Sequence, residues 1–271
     1  MSELPELEIL RSQLDRDLAG KKVKTVEVTV PAVVKRNGNK KQFGSRLDGV
    51  KLGSTTRRGT WLVIGLEESK HLVIHLGPGA SLARVQAKEA VEKGTAATIT
   101  LTQTGQLRLI DPQKHSEMAV VDDDELAALT EGETGFDLAG DAISWTTFGE
   151  RLLRQKAKLK TVLMDPTFLV GIGTMYSDEI LFESGLRYDR APQSLATQEI
   201  RRLYRATVEI IHEAIKHGGA AGYFVDAQGR PGGYQLAVYG RDGELSPRAR
   251  GAITKVRFGS GSTYLCEQTQ M

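Results

Sequence analysis

Between Glu6 and Leu18 the leucines at 7, 10, 14 and 18 recur in steps of three and four, the spacing that lines one face of an amphipathic helix. After Val23 the period shortens. Val26-Glu27-Val28-Thr29-Val30 alternates apolar with polar residues, and Trp61-Leu62-Val63-Ile64, Leu72-Val73-Ile74 and Ala97-Thr98-Ile99-Thr100-Leu101 are short β-rich runs punctuated by Gly and Asn. Several short strands with turn signals predict a β-sandwich or barrel-like domain packed on the opening helix. From about 117 to 145, acids, Gly and Thr replace the strands, which predicts a connection between domains. Helical periods follow over Thr147–Lys160, Met164–Leu169, Gly173–Ser184 and Thr197–His217. Gly218-Gly219 stops the last of these, and Tyr234 to Tyr264 reads as strands and turns. The class is α+β, divided as 1–116, a linker 117–146, a helical domain 147–233 and a β tail 234–271.

At 271 residues and 40% hydrophobic content the chain can bury substantial cores. No run approaches 18 apolar residues and no signal-peptide core opens the chain, so a cytoplasmic, membrane-free protein is expected. The single cysteine, Cys266, excludes an intrachain disulfide and a cysteine-built zinc site. The net charge of +2 says little, but its distribution says more. Eight bases against one acid lie between Lys35 and Thr60; Arg151, Arg154, Lys156, Lys158 and Lys160 form a second basic run, and Asp122 to Glu133 is acidic throughout. Each run taken singly reads as a solvated face.

The stretch Lys160-Thr161-Val162-Leu163-Met164-Asp165 … Gly171-Ile172-Gly173-Thr174-Met175-Tyr176-Ser177-Asp178-Glu179 carries a candidate phosphate site. Its glycines permit a close bend, the following helix would offer its first N–H groups, and Lys160 would add a cation. An ordinary helix-turn-helix corner has the same pattern. At the other end of the chain, Ser2-Glu3-Leu4-Pro5-Glu6-Leu7-Glu8 sets the carboxylates of Glu3 and Glu6 beside a terminal amine.

These two segments resemble signatures of the Fpg/Nei (MutM) family of base-excision DNA glycosylases: the opening Met-Pro-Glu-Leu-Pro-Glu-Val-Glu, and the helix-two-turn-helix motif Ile-Lys-x-x-Leu-x-Asp-Gln … Gly-x-Gly-Asn-x-Tyr-x-x-Glu-x-Leu-Phe. Gly229-Arg230-Pro231-Gly232 … Val238-Tyr239-Gly240-Arg241-Asp242-Gly243-Glu244 resembles the family's entry to its C-terminal finger. The resemblance covers nearly the whole chain. It implies an N-terminal β-sandwich with flanking helices, a DNA-binding groove, a helix-two-turn-helix domain and a β-hairpin finger, here zincless. It also implies double-stranded DNA, abasic or damaged, as the partner; because the four cysteines of the family's common zinc finger are missing, no metal is expected, and the protein is expected to act as a monomer without a cofactor. By position it assigns catalysis to Ser2, Glu3 and Glu6, and DNA contacts to Arg57, Arg58, His75, Lys114, Lys160, Gly171, Gly173, Thr174 and Arg257.

Several positions depart from the family pattern. Ser2 replaces the proline nucleophile; once Met1 is removed, its α-amine, with an ordinary pKa of roughly 7.7–8.0, would be the group able to attack C1′. Glu3 is the better general acid/base candidate, since capping alone accounts for a carboxylate at Glu6. Thr60 stands for the family's active-site lysine. Pro78 replaces the methionine that fills the hole left by an everted base, and Gln113 and His115 replace an arginine and an aromatic wedge. Because base extrusion costs a few kcal/mol, these losses weaken flipping from intact duplex more than binding at an abasic site. Pro166 replaces Gln and Thr174 replaces Asn in the helical motif. Gly261 stands where the finger's DNA-gripping arginine belongs, with Arg248, Arg250 and Arg257 as substitutes, and Ile253, Val256, Phe258 and Tyr264 are expected to pack where zinc would sit. Three readings follow: a DNA-binding protein with weak or lost catalysis, an active glycosylase and abasic-site lyase using Ser2 and Glu3, and a module for structured RNA or the ribosome.

Overall fold

The computed structural model describes residues 2–103, 105–140 and 142–271. Met1, whose removal is expected from the small Ser2, lies outside them. The chain forms two compact units, Met1–Glu131 with Gly222–Gly232, and Gly132–Ala221 with Gly233–Met271.

The first unit opens with helix α1 (Leu4–Leu18), whose Leu7, Leu10, Leu14 and Leu18 are all buried as their spacing predicts. Pro5 sits in its first turn, where a missing N–H breaks no helical bond. The unit holds two four-stranded antiparallel sheets. One has the order β1 (Val23–Val28), β6 (Thr95–Leu101), β7 (Gln106–Ile110), β5 (Ser81–Val85). The other has the order β2 (Thr55–Arg58), β3 (Trp61–Gly65), β4 (Lys70–His75), β8 (Glu117–Asp122).

Strand alternation explains why the second sheet is written in unbroken apolar runs. Leu62, Ile64, Leu72, Ile74, Met118 and Val120 face one way, into a core shared with α1 and the first sheet. Trp61, Val63, Val73, Ala119 and Val121 face the other way and are covered by Leu126 of helix α3 (Asp123–Thr130).

The stretch expected to be only a connection therefore contains a strand and a helix. Its acids are a helix start: Asp122 is the N-cap and accepts the Glu125 N–H at 2.9 Å, with Asp123, Asp124 and Glu125 in the first turn of α3. Negative side chains are favoured there by the unpaired N–H groups and the helix dipole. A short helix, α2 (Lys40–Ser45), carries part of the first basic run.

The second unit contains α4 (Trp145–Leu153), α5 (Leu159–Leu163), α6 (Thr174–Ser184), α7 (Thr197–Lys216) and the hairpin β9 (Thr254–Phe258) and β10 (Gly261–Leu265). Residues 164–169, expected to be helical, are mostly turns instead, and Leu169 bridges to Phe136. Pro166 disfavours helical geometry at Asp165, whose carboxylate binds the Thr167 N–H at 2.8 Å and holds a local turn. Helix α6 is buried on every side from Met175 to Phe182, so it is the axis on which the unit is built.

At the base of the hairpin, where its strands begin and end, Ile253 and Cys266 pack with Phe182 and Val238, and Tyr264 lies against them. Ile253 is buried, whereas Val256 and Phe258 are only half-buried. No described helix is long and apolar enough to cross a membrane. Replacing Ile253 by Ala is expected to cost roughly 2–5 kcal/mol in urea denaturation, and EDTA is expected to leave the midpoint unchanged. A midpoint that falls with EDTA would show that the hairpin depends on metal.

Candidate nucleic-acid interface

In the first unit, Ser2 is partly exposed at the head of α1, while Glu3 and Glu6 are 5% and 2% exposed. Glu3 occupies the N-cap position, and the Glu6 carboxylate accepts the Glu3 N–H at 3.2 Å. Glu6 thereby closes the start of the helix that carries Ser2.

The α1 helix is strapped to the edge strand β2 twice. Asp15 accepts the Thr55 N–H at 2.8 Å, and Glu8 accepts Arg57 Nε at 3.4 Å. Arg57 also donates to the Gly59 carbonyl at 2.7 Å, and only 4% of its side chain is exposed. Expected to be a DNA contact, Arg57 is an internal brace in this structure, joining α1 to the Gly59-Thr60 turn. Arg58, next along the strand, points the other way by alternation and is exposed.

His75 pairs across the sheet with Trp61, its ring 5.0 Å from the indole, and stays partly exposed. Lys114 is exposed and has a φ of 62°, a left-handed conformation uncommon outside glycine. Buried Asp111 holds it there, with one carboxylate oxygen 2.9 Å from the Lys114 N–H and the other 2.7 Å from the Ser116 N–H. Pro78, Gln113 and His115 are exposed, and a side chain at Gly77 would collide with the His115 backbone at 2.7 Å. The loops bearing the altered void-filling residues are therefore packed directly on each other.

The chain returns to the first unit for Gly222–Gly232. Asp226 accepts Gln13 Nε2 at 2.7 Å, Arg230 Nε at 2.7 Å, and the N–H groups of Gln228 and Arg230 at 2.9 Å. Gln13 in turn accepts the Ala227 N–H at 3.0 Å. Sequence reasoning missed this anchor, although a glutamine beside Leu10 and Leu14 on a buried helix face was its signal. It leaves Tyr223 and Val225 exposed, 57% and 49%.

In the second unit, Gly171, Gly173 and Thr174 are partly exposed at the start of α6. Gly171 has a φ of 68°, a left-handed conformation that favours glycine, whereas Gly173 is extended with a φ of −109°. Lys160 is placed differently from expectation. It is 0% exposed, with Nζ 2.5 Å from Asp178 Oδ1 and 3.3 Å from the Thr174 carbonyl. Its ammonium is held inside the protein because buried Asp178 would otherwise be an uncompensated charge.

Asp178 also accepts the Thr263 hydroxyl and, at 3.0 Å, the Tyr264 N–H. Burial pushes its carboxyl upward, and the ammonium and these donors oppose that shift. Glu179 accepts three backbone N–H groups, from Ala237, Val238 and Tyr239, at 2.7, 2.9 and 2.9 Å. Burial raises its carboxyl too, against the pull of those bonds. Neither acid was singled out as a site residue, although two adjacent carboxylates in an apolar helix marked them.

Of the candidate finger arginines, Arg248 donates to the Glu183 carbonyl at 2.9 Å and to the Glu183 carboxylate, so it closes the end of α6. Arg250 and Arg257 are exposed, and Arg257 stands opposite Ser262 next to the hairpin turn. Among the described residues, no three His, Cys, Asp or Glu side chains come together to hold a metal.

An α1 helix packed on two four-stranded sheets, followed by a helix-two-turn-helix element and a terminal hairpin, defines a DNA glycosylase architecture. Family patterns agree: the formamidopyrimidine-DNA glycosylase N-terminal domain matches residues 1–118, and the formamidopyrimidine-DNA glycosylase H2TH domain matches residues 135–224. The formamidopyrimidine-DNA glycosylase of Pelotomaculum thermopropionicum is 32% identical over 274 residues, covering 100% of this chain and 99% of that protein. That of Bacillus cereus is 32% identical over 270 residues, covering 98% of each. The Lactococcus lactis Fpg in complex with DNA containing an abasic site is similar with a TM-score of 0.91 and 27% identity over 99% of both chains. The chain belongs to the formamidopyrimidine-DNA glycosylase family.

Asp226 supplies a pH test. Burial alone would raise its carboxyl, but the Arg230 N–H, Gln13, the Arg230 guanidinium and the Gln228 N–H hold it below the ordinary range. A carboxyl lowered in the folded state stabilises above its unfolded pKa of about 3.9 and loses that contribution as pH falls through the folded value. Hydrogen exchange of amides 226–230 is therefore expected to accelerate, beyond intrinsic exchange, as pH falls below about 4. In Asp226→Asn it is expected to be faster at neutral pH and to lose most of that acid dependence.

Proposed function

We propose that this protein binds abasic or distorted double-stranded DNA as a cytoplasmic monomer, and that its base-excision chemistry is weak or lost. One observation carries the reading: the framework matches the L. lactis Fpg fold over 99% of the chain, while Ser2, Thr60 and Gly261 stand where the family pattern has its nucleophile, lysine and finger arginine. The exposed cations Arg58, Lys114 and Arg257, the partly exposed His75, and the Gly171-Ile172-Gly173-Thr174 turn are the proposed DNA contacts. The first three are phosphate contacts that position the duplex without reading its sequence. Lys160 and Arg57 are left out because their charged groups are held within the protein.

A second reading, an active glycosylase and abasic-site lyase, has its own support. Curated relatives at 32% identity are named as glycosylases, and partly exposed Ser2 adjoins buried Glu3 at the helix start. In a chain freed of Met1, the neutral Ser2 amine would add to the C1′ aldehyde of an abasic site and expel water to form an imine. Glu3 would move the proton.

Two measurements separate these readings. Affinity for an abasic-site duplex is expected to fall steeply with salt, and Arg58→Gln and Lys114→Gln are each expected to lower the slope of log Kd against log salt by about 0.9. Salt-independent binding, or a preference for folded RNA, would remove the proposal. Borohydride reduction with abasic DNA is expected to trap little or no adduct; stoichiometric trapping on the Ser2 peptide, located by mass spectrometry, would establish the second reading instead.

A further inference from the structure

Lys160 lies where helix α6 (Thr174–Ser184) meets the hairpin Thr254–Leu265. Its Nζ reaches the carbonyl of Thr174, the first residue of α6, at 3.3 Å, and the Asp178 carboxylate one turn further on at 2.5 Å. That carboxylate holds the hairpin through the Thr263 hydroxyl and the Tyr264 N–H. The other hairpin strand meets the same ammonium, with the Phe258 ring 5.5 Å from Nζ and packed edge-on to Tyr188 at 5.9 Å. The Lys160 N–H closes the loop, donating to the Tyr188 carbonyl at 3.1 Å.

Strand alternation sorts the hairpin's residues between its faces. Val256, Phe258, Thr263 and Leu265 share the inner face, and Lys255, Arg257, Ser262 and Tyr264 share the outer one. The inner face therefore meets the Lys160–Asp178 pair, and the outer face presents Arg257 to solvent.

From this geometry we infer that Lys160 and Asp178 are positioning residues, which fix the Gly171–Thr174 turn and the hairpin carrying Arg257 as one rigid DNA-gripping element. Lys160 itself touches no phosphate. The inference deepens the proposed DNA-binding function and rests on it. The two roles for Lys160 predict different salt behaviour, because a lost phosphate contact lowers the number of released counterions, whereas a lost brace weakens binding at every salt concentration without changing that number.

The test is a salt series of binding to an abasic-site duplex for the native chain, Lys160→Met, Thr263→Val and Arg257→Gln, with hydrogen exchange on each protein free of DNA. Thr263→Val keeps the buried ion pair and the side-chain volume, so it removes one tie without endangering the fold. Lys160→Met is expected to weaken binding tenfold or more and Thr263→Val several-fold, both with the native salt slope; Arg257→Gln is expected to lower the slope by about 0.9. Amides 254–258 and 261–265 are expected to exchange faster in the first two variants and normally in the third. A slope lowered by about one in Lys160→Met would make Lys160 a phosphate contact and overturn the inference. Unchanged affinity or unchanged hairpin exchange in Thr263→Val would overturn it as well. A native chain that binds no DNA would refute the proposed function and the gripping role with it, while the exchange data would still decide whether the tie exists.

Discussion

Two adjacent carboxylates on a buried helix, Asp178 and Glu179, organise everything around them in the second unit. Each is closed to water, so each must be satisfied from within the protein. Asp178 meets that demand with the ammonium of α5 and two donors from β10, and Glu179 with three consecutive backbone N–H groups just before the hairpin region. Removing a partner would strand a charge in the interior, a change that typically destabilises by about 3–5 kcal/mol. This requirement gives a hairpin with little apolar area of its own a fixed place on the helix-two-turn-helix element. The small cluster of Ile253, Cys266, Val238 and Phe182 fills the remaining space.

The first unit uses the same device. Asp15 and Glu8 strap helix α1 to an edge strand, Glu6 closes its first turn, and Asp226 fixes the 222–232 loop against Gln13. Acids and bases that look like a binding face in one dimension thus divide into two groups. Arg57 and Lys160 are internal fasteners and Arg248 is a surface one, while the side chains of Arg58, Lys114 and Arg257 are exposed. Neighbours in sequence, such as Arg57 and Arg58, fall into opposite groups because a strand turns successive side chains to opposite faces.

Periodicity and motif made most of the architecture legible. The leucine spacing of α1, the apolar runs of β3, β4 and β6, the glycines before α6 and the buried Ile253 all stand where the pattern put them. The unpredicted parts depended on pairings across the chain. Strand β8 was hidden because its run ends in the acids that start α3, and residues 164–169 lost their helix to Pro166 and an Asp165 turn. Within the candidate site the partners of individual side chains were not legible. Nothing local to Lys160 reveals that its partner lies 18 residues away, or that Asp178 extends the tie to Thr263. The restraint of Lys114 by Asp111 in a left-handed turn is equally invisible without coordinates.

The framework of a formamidopyrimidine-DNA glycosylase extends over 99% of the chain, and the proposed loss of chemistry rests on Ser2 and Thr60, which stand where the family pattern has its nucleophile and its lysine. If the framework is intact and only those side chains limit the reaction, returning them should return the activity. The most direct measurement is single-turnover cleavage of abasic-site duplex by the native chain and by the double variant Ser2→Pro, Thr60→Lys, each freed of Met1 and matched for DNA affinity. Cleavage and a borohydride-trapped adduct are expected for the double variant, with little of either for the native chain. Equal cleavage by both, or an inert double variant that still binds DNA, would contradict a loss of chemistry confined to those positions.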